Sequence, residues 1–430
     1  MEVRLGYKQT DAGEIPEDWD VRALGKIASI SAGGTPSRRV PEYWKDEIPW
    51  VTTTEIDFTT ITHTEQYISK TGLRNSAAKL LSPGTLLLAL YGQGKTRGKV
   101  AVLGIEAATN QACASILVTP SVSRDFVFCF LASRYEVIRG LSNSGSQENL
   151  NGRIVKSILI AFPPTQAEQE DIAKALSDAS ALIGSLERLI AKKRNIKQGA
   201  MQELLTGKKR LPGFENPIGR KQTEAGVIPK DWEVRTIGQL ALIKTGPFGT
   251  LLKASEYSEN GVPLISVGEI REGYLRIAEN TPRISSAVTR RLPQYLLRTG
   301  DIVFGRKGGV QRSVLIRPEQ NGWFLGSDGI TVRPTKDCNS AYLAFQFQSA
   351  RVQEWLLRNA IGTTMPSLNQ DILCNLAVPV PPTSAEQECI VAVLNDMDAD
   401  LAALEGKLGK ARQLKHGMMQ ELLIGRTRLV

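Results

Sequence analysis

Two long stretches of the chain carry apolar residues at alternating intervals of four and three positions. They cover residues 163–211 and 381–429 and align without a gap at a constant offset of 218 residues. This spacing places the apolar side chains on one stripe of an α-helix and is typical of a coiled-coil seam. The predicted seam residues are Ile172, Leu176, Ile183, Leu186, Ile190 and Leu204 in the first stretch, and Ile390, Leu394, Leu401, Leu404, Leu408 and Leu422 in the second.

Both predicted helices begin with the same local signal. Thr165 and Thr383 each follow a Pro-Pro pair, and Glu168 and Glu386 lie three residues further on. This order predicts a capping box, in which the threonine hydroxyl and the glutamate carboxylate satisfy backbone N–H groups of the first turn.

Three lysines interrupt the seams, Lys193 and Lys197 in the first and Lys415 in the second. We expect the pairing to be looser there, or the helix to touch another chain. A helix of about 38 residues spans roughly 57 Å, so two such helices in one chain can bury their seams on each other as an antiparallel coiled coil. Alternatively, each helix packs on its own globular segment, or the seams pair only between chains.

A second repeat precedes each helix. Residues 7–28 and 220–241 share the pattern K-Q-T-x-A-G-x-I-P-x-D-W. Between this lead-in and the helix, both copies contain short β-rich runs broken by Gly and Pro, with helical stretches such as residues 125–141. The pattern predicts α+β bodies. A period above 200 residues is too long for a solenoid and indicates two copies of a whole module.

The predicted fold is therefore α+β, with two tandem globular domains of mixed α/β structure. They are separated and joined by two long helices that form an antiparallel coiled coil with pseudo-twofold symmetry. The expected boundaries are 1–160 for the first domain with its lead-in, 161–205 for the central helix, 206–220 for a linker rich in Gly, Pro and charge, 221–378 for the second domain with its lead-in, and 379–430 for the C-terminal helix.

Composition narrows the possible partners and the compartment. The 430 residues carry a net charge of +9, which makes a polyanion a plausible partner. The five cysteines are scattered without a C-x-x-C pair, which argues against a disulfide framework or a cysteine zinc site. The first residues lack the apolar core of a signal peptide, and the longest aliphatic run, L-L-L-A-L, is too short to cross a bilayer. We expect a cytoplasmic protein with no membrane contact.

Motifs for catalysis are weak. The G-K-T within residues 91–99 invites a P-loop interpretation, but Ala89 stands where the first glycine belongs, and the following V-A-V-L-G-I predicts a strand instead of a helix. The sequence contains two histidines, His63 and His416, which are too few to favour a histidine-based catalytic triad or metal site. The two Pro-Pro pairs lack the flanking residues of an amino-methyltransferase motif and fit helix starts. We predict no catalytic residues and no metal in this chain.

Basic loops interrupted by glycine are the candidates for binding. Glycine lets a loop approach a duplex closely, and Lys and Arg contact phosphates, while Arg and Asn or Gln can also read base edges. For any one residue, a solvated hairpin turn is the alternative. The candidate DNA-binding residues are Arg38, Arg39, Lys95, Arg97, Lys99, Asn110 and Gln111 in the first body, and Arg306, Lys307 and Arg312 in the second.

In its layout the chain resembles the specificity subunit of type I restriction–modification enzymes. The order body–helix–body–helix carries the resemblance across nearly the whole chain. The matching segments are A-G-E-I-P-E-D-W-D-V-R-A-L-G, the S-A-G-G-T-P-S-R-R opening, Y-G-Q-G-K-T-R-G-K-V-A-V-L-G-I, N-L-N-G-R-I-V-K-S-I-L-I-A-F-P-P, and the M-Q-E-L-L-T-G-K-K-R-L tail, several of them with counterparts in the second half.

The resemblance implies a non-catalytic subunit with two target-recognition domains, each reading one half of a split, asymmetric double-stranded DNA target. It further implies helices that set the spacing and bind two methyltransferase subunits, with restriction/motor subunits added in the full complex. S-adenosylmethionine, ATP and Mg are then expected on the partner subunits and no cofactor on this chain. The alternatives are a coiled-coil scaffold or adaptor that does not itself read DNA sequence, and a self-contained nuclease or methyltransferase.

Overall fold

The computed structural model describes residues 4–45, 47–92, 95–141, 149–215, 219–362 and 364–429. Residues 93 and 94 of the first basic loop and residues 216–218 of the predicted linker lie outside the described residues. The chain divides into two units: unit 1 contains Met1–Glu187 and Gly406–Val430, and unit 2 contains Arg188–Glu405. Each unit therefore holds one globular body and a part of each long helix.

Unit 1 is built on a mixed five-stranded sheet with the order β4-β11-β8-β9-β6, beside a three-stranded sheet β10-β5-β7 and the pairs β1-β2 and β12-β3. Its strands are β1 (Tyr7–Thr10), β2 (Gly13–Pro16), β3 (Asp20–Ala23), β4 (Ala28–Ala32), β5 (Ile48–Val51), β6 (Thr60–Ile61), β7 (Gln66–Ile68), β8 (Leu86–Ala89), β9 (Val100–Leu103), β10 (Ala108–Thr109), β11 (Cys113–Val118) and β12 (Leu159–Phe162). Its helices are α1 (Leu24–Ile27), α2 (Lys70–Arg74), α3 (Arg124–Ser133), α4 (Tyr135–Gly140), α5 (Gly152–Ser157) and the first part of α6 (Gln166–Leu204).

Unit 2 contains a four-stranded sheet β16-β23-β20-β21, a second sheet β17-β19-β18-β22 and the pairs β13-β14 and β15-β24. Its strands are β13 (Arg220–Thr223), β14 (Gly226–Pro229), β15 (Glu233–Thr236), β16 (Ala241–Thr245), β17 (Tyr257–Ser258), β18 (Val262–Ile265), β19 (Arg283–Ile284), β20 (Ile302–Gly305), β21 (Ser313–Leu315), β22 (Phe324–Leu325), β23 (Gly329–Pro334) and β24 (Ala377–Val380). Its helices are α7 (Ile237–Leu240), α8 (Ser286–Arg291), α9 (Ser340–Gln348), α10 (Ala350–Asn359), α11 (Gln370–Asn375) and the first part of α12 (Ser384–Leu422).

The sequence repeat is also a repeat of topology. The order β4-β11-β8-β9 in unit 1 recurs as β16-β23-β20-β21 in unit 2. In both units the neighbouring sheet contains a parallel pair of strands, β10 with β5 in unit 1 and β22 with β18 in unit 2. The predicted mixture of helices and strands is confirmed. The helical stretch predicted for residues 125–141 is divided between α3 and α4, which are separated at Arg134.

The repeated lead-in packs against the end of a long helix. Its aspartate-tryptophan pair buries Trp19 in unit 1 and Trp232 in unit 2, at 1% and 0% exposure. The glycine of the tail repeat lies under each indole: Gly425 has a φ of 70° and Gly207 a φ of 65°. A Cβ at either glycine would come within 2.6 Å of a proline ring atom. The helix end therefore requires glycine for its left-handed backbone and for the close approach.

An arginine that follows each long helix binds two carboxylates within its own unit. We call these two sites the arginine clasps. In unit 2, Arg210 donates from Nε and Nη2 to the Glu386 carboxylate at 2.8 and 2.7 Å and from Nη1 to Asp231 at 2.8 Å. In unit 1, Arg428 binds Glu168 through two nitrogens and Asp18 at 3.0 and 3.1 Å. The described start of the predicted linker is therefore packed through Arg210 instead of forming a free connection.

These clasps correct the capping-box prediction in one respect. The N–H groups of Glu168 and Glu386 donate to the hydroxyls of Thr165 and Thr383 at 3.2 and 3.3 Å, as predicted for N-caps. The two carboxylates, however, are held by the clasp arginines. A charged guanidinium is a stronger partner for a carboxylate than a backbone N–H group.

The predicted seam residues are buried or half-buried along both long helices. In unit 1, Ile172 and Leu176 share a core with Leu422. In unit 2, Leu204 shares a core with Ile390 and Leu394. Among the described residues, no helix combines the length and the apolar character that crossing a bilayer requires.

The lysines that interrupt the first seam have acidic partners on α12. Lys193 Nζ lies 3.0 Å from a carboxylate oxygen of Asp400, and Lys197 Nζ lies 2.5 Å from one of Asp398. The Lys197 side chain is only 15% exposed. Acidic residues of α12 therefore receive these lysines inside unit 2, and their charge is paired within the chain.

Candidate nucleic-acid interface

Three loops of unit 1 meet at one end of the five-stranded sheet, and we call them the first loop cluster. They are residues 33–40, which follow β4, residues 90–92 and 95–99, which belong to the connection from β8 to β9, and residues 110–112, which join β10 to β11. The N–H of Gly34 donates to the carbonyl of Thr109 at 2.8 Å, and the N–H of Leu90 donates to that of Ala112 at 2.8 Å. Strand ends thus position the cluster through backbone bonds.

The Gly-Gly-Thr segment is fitted tightly against the Asn-Gln segment. A Cβ at Gly33 would lie 2.2 Å from the Thr109 carbonyl oxygen, so only glycine fits. Thr35 donates its hydroxyl to Oε1 of the exposed Gln111. Asn110 accepts from the Ala112 N–H at 3.1 Å, so its side chain shapes the turn. Of the two predicted amides, Gln111 is the one that faces solvent.

Arg38 is exposed and yet held in place. Its Cζ lies 3.8 Å from the ring centroid of Trp44 and 5.4 Å from that of Trp50. Its Nη2 donates to Oε1 of Gln66 at 2.7 Å. The neighbouring Arg39 is also exposed. The cluster thus presents the guanidinium of Arg38, which is held by Trp44 and Gln66, beside the exposed side chain of Arg39.

The other three basic residues predicted in this cluster differ in accessibility. Lys95 is exposed. Lys99 pairs with Asp57 at 2.5 Å and lies over the ring of Phe58. Arg97 is only 7% exposed. A buried guanidinium cannot touch a duplex in this conformation, so we remove Arg97 from the candidate contacts and regard Lys99 as holding the loop.

Four segments of unit 2 form a second loop cluster. They are residues 246–249 after β16, residues 306–312 between β20 and β21, residues 326–328 between β22 and β23, and residues 361–362 with 364–368 before α11. The N–H of Arg306 donates to the carbonyl of Asp328 at 2.7 Å, and the N–H of Leu368 donates to that of Arg306 at 2.8 Å. The second bond has a counterpart in unit 1, where the N–H of Leu150 donates to Leu90 at 2.9 Å.

All three basic residues predicted for the second body lie on this cluster. Arg306 Cζ lies 4.5 Å from the ring centroid of Phe248. Lys307 Nζ lies 4.0 Å from a carboxylate oxygen of Asp328. Arg312 is exposed. Arginine again lies on an aromatic ring, but the ring, the acid and the loops differ from those of unit 1.

The exposed groups of the first cluster are guanidinium, ammonium and amide groups. Cys113 lies next to the cluster, in β11: burial raises the pKa of its thiol to about 12, and its Sγ donates to Asn110 at 3.2 Å. A thiol with so high a pKa is a poor nucleophile near neutral pH. Hydrogen-bond donors of this kind serve to bind phosphates and base edges.

Trp44, Gln66 and Phe248 are site residues that the sequence analysis missed. Trp44 and Gln66 lie six and 28 positions after Arg38 and reach it only through the fold. Phe248 belongs to a loop that carries none of the basic residues we selected. Trp44 could have been predicted as a site residue because it lies in the short segment between the S-R-R arginines and β5.

Comparison with known proteins identifies the module. Residues 16–193 and 229–412 both match the family model described as the type I restriction modification DNA specificity domain. The chain belongs to this family. The type I restriction enzyme MjaVIII specificity subunit of Methanocaldococcus jannaschii is 23% identical over 433 residues, which cover 98% of this chain and 96% of that protein. The MjaIX specificity subunit of the same organism is 22% identical, with coverage of 98% and 96%.

Solved structures share the fold of this specificity subunit. The S subunit of a type I restriction–modification system from M. genitalium superposes with a TM-score of 0.59 at 16% identity, covering 96% of this chain and 97% of that one. A chain from a study of complex assembly in a type I system gives 0.59 at 18% identity, with coverage of 96% and 99%. The specificity subunit is the DNA-recognition component of such a system and not its catalytic component.

Proposed function

We propose that the first and second loop clusters each read one half of a split, asymmetric DNA target. The observation that carries this proposal is a shared topology with different side chains. In unit 1 the segment after β4 carries both Arg38 and Trp44, which stack on each other. In unit 2, Arg306 follows β20, the counterpart of β8, and lies over Phe248 of the loop after β16. Different side chains on one shared topology present different donors to DNA, so the two half-targets should differ.

We further propose that α6 and α12 pair as an antiparallel coiled coil that sets the spacing between the half-targets. Both helices contain 39 residues, or about 58 Å at 1.5 Å per residue. Within unit 2, Lys193 pairs with Asp400 and Lys197 with Asp398, so the contacts run in opposite directions along the two helices. Major-groove contacts on one face of DNA favour half-target centres about 34 Å apart. The pseudo-twofold arrangement stays a prediction.

The partners that we propose are two methyltransferase subunits, together with restriction/motor subunits. Two modules of one family in this chain would offer two similar docking surfaces, which supports the proposal of two copies of one partner. S-adenosylmethionine, ATP and Mg would be bound by those subunits, where base flipping and methyl transfer would take place. The competing interpretation is a scaffold that assembles the complex without reading sequence.

A genome-wide map of adenine methylation tests both interpretations. Cells expressing this chain with its methyltransferase partner should show a split, asymmetric motif that disappears when only this chain is omitted. Exchanging residues 22–160 for those of another specificity subunit should change one half of the motif and leave the other unchanged. A change in both halves would refute the assignment of one half to each unit. Binding without sequence preference and without steep salt dependence would favour the scaffold.

A further inference from the structure

Arg38 is an exposed side chain of the first loop cluster, and a chain of contacts connects it to the core. Trp50 is 2% exposed, and its Nε1 donates to the Gly34 carbonyl at 3.1 Å. Trp44 meets it edge-on, with ring centroids 4.9 Å apart at 88°, and donates its Nε1 to the Ser37 carbonyl at 3.2 Å. The guanidinium then lies on Trp44.

The same contacts hold the guanidinium at two points. Its Cζ lies over the indole of Trp44, 3.8 Å from the ring centroid, and its Nη2 donates to Gln66 at 2.7 Å. A guanidinium has five N–H donors in a rigid fork. The bond to Gln66 uses one of them and sets the direction of the rest. An exposed arginine loses rotamer entropy when it is fixed in this way, and a fixed fork increases selectivity for a planar acceptor pair.

We infer that Arg38 reads a guanine in the major groove of the half-target bound by unit 1, and that Trp44, Trp50 and Gln66 are its positioning residues. This inference rests on the proposed function of the first loop cluster. Guanine presents O6 and N7 as two coplanar acceptors, and an arginine fork is their commonest specific partner. A phosphate contact needs a cation but carries no sequence information. An arginine whose fork is held on an indole is therefore better suited to contacting a base edge than a phosphate.

The test uses the assembled complex of this chain with its methyltransferase subunits and a duplex carrying the motif found by methylation mapping. Each guanine in the half-target assigned to unit 1 is replaced in turn by 7-deazaguanine, which lacks the N7 acceptor. For the wild-type chain, we expect one position at which affinity falls about 10- to 100-fold. This measurement requires no variant.

Two variants and one matched control connect that position to Arg38. With Arg38→Met and Arg38→Ala, the same replacement should cost less than about 3-fold, because the donors that used N7 are gone. Arg39→Ala removes the adjacent exposed cation and should weaken binding to all sequences alike, with a shallower salt slope. Preference in the other half-target and the melting temperature should stay unchanged in all three, which shows that the chain is folded.

The outcomes separate the inference from the proposed function. A wild-type complex without any sequence preference would overturn both. A clear motif in which Arg38→Met keeps full sensitivity to 7-deazaguanine would overturn the inference alone. So would a half-target without guanine, or an Arg38→Ala variant that weakens every sequence equally, as the loss of a phosphate contact does.

Discussion

The two arginine clasps predict unequal effects of one substitution made at two equivalent positions. In unit 2, Arg210 is 10% exposed and Glu386 2% exposed. Arg210→Met would leave a buried carboxylate without its partner, which typically costs about 3–5 kcal/mol. In unit 1, Arg428 is 35% exposed and its second partner, Asp18, 51%. Glu168 is also buried, at 9% exposure, but water reaches Arg428 and Asp18, so Arg428→Met should cost less, about 1–2 kcal/mol.

Hydrogen exchange can measure the two effects locally. Peptides covering residues 384–394 report the helix start next to Arg210, and peptides covering residues 166–176 report the start next to Arg428. Protection should fall mainly in the first peptide for Arg210→Met and mainly in the second, by less, for Arg428→Met. Urea unfolding followed by circular dichroism should rank the two variants in the same order.

A compensating variant tests the cause of the larger effect. If the penalty comes from the stranded carboxylate, Arg210→Met combined with Glu386→Met should recover a large part of the lost stability, since apolar replacement of a buried ion pair is often tolerated. The reasoning would be refuted if Arg428→Met were as costly as Arg210→Met, or if the double variant were less stable than Arg210→Met alone.

The remaining predictions concern helix ends, thiols and spacing. Gly207→Ala should destabilise the chain by about 1–3 kcal/mol, since its φ is 65° and a Cβ would lie 2.6 Å from Pro229. Gly199→Ala, in the interior of α6 with nothing within 4 Å of a Cβ, should stabilise it by about 1 kcal/mol in the same urea assay, and the reverse order would contradict the close-approach argument. Near neutral pH, a thiol reagent should label the exposed Cys389 rapidly, while Cys113, whose pKa burial raises to about 12, should react only after unfolding, as mass spectrometry of digests would show. Inserting about four residues, roughly one turn, into both α6 and α12 should lengthen the spacer of the methylation motif, and an unchanged spacer would remove the role of the helices in spacing.

The sequence predicted the repeated architecture because each copy carries the same apolar positions. The tail glycine and the lead-in tryptophan recur at matching places, and they meet in space as Gly207 with Trp232 and as Gly425 with Trp19. Periodicity likewise identified the helix positions that are buried or half-buried, since burial of a helix face depends on spacing along one chain segment. Local patterns were sufficient for these features.

Charged residues were harder to assign because their partners are remote in sequence. Arg97 belongs to a basic, glycine-rich segment and is nevertheless buried. Lys197 pairs with Asp398, 201 positions away. The surroundings of Arg38 depend on residues from β7 and from the segment before β5. Whether a charge is solvated, paired or stacked is decided by tertiary contacts, and composition alone does not report it.

The division of each long helix between the two units has a consequence for synthesis. Unit 2 consists of the continuous stretch Arg188–Glu405, whereas unit 1 needs Gly406–Val430 to join residues translated far earlier. On a ribosome working from the N-terminus, the unit encoded second is the first that can be completed. Until Leu422, Leu423 and Arg428 emerge, the nascent first body lacks part of its core and its clasp. A stop codon placed before Leu422 should therefore damage the body within residues 4–187 and leave residues 188–405 folded.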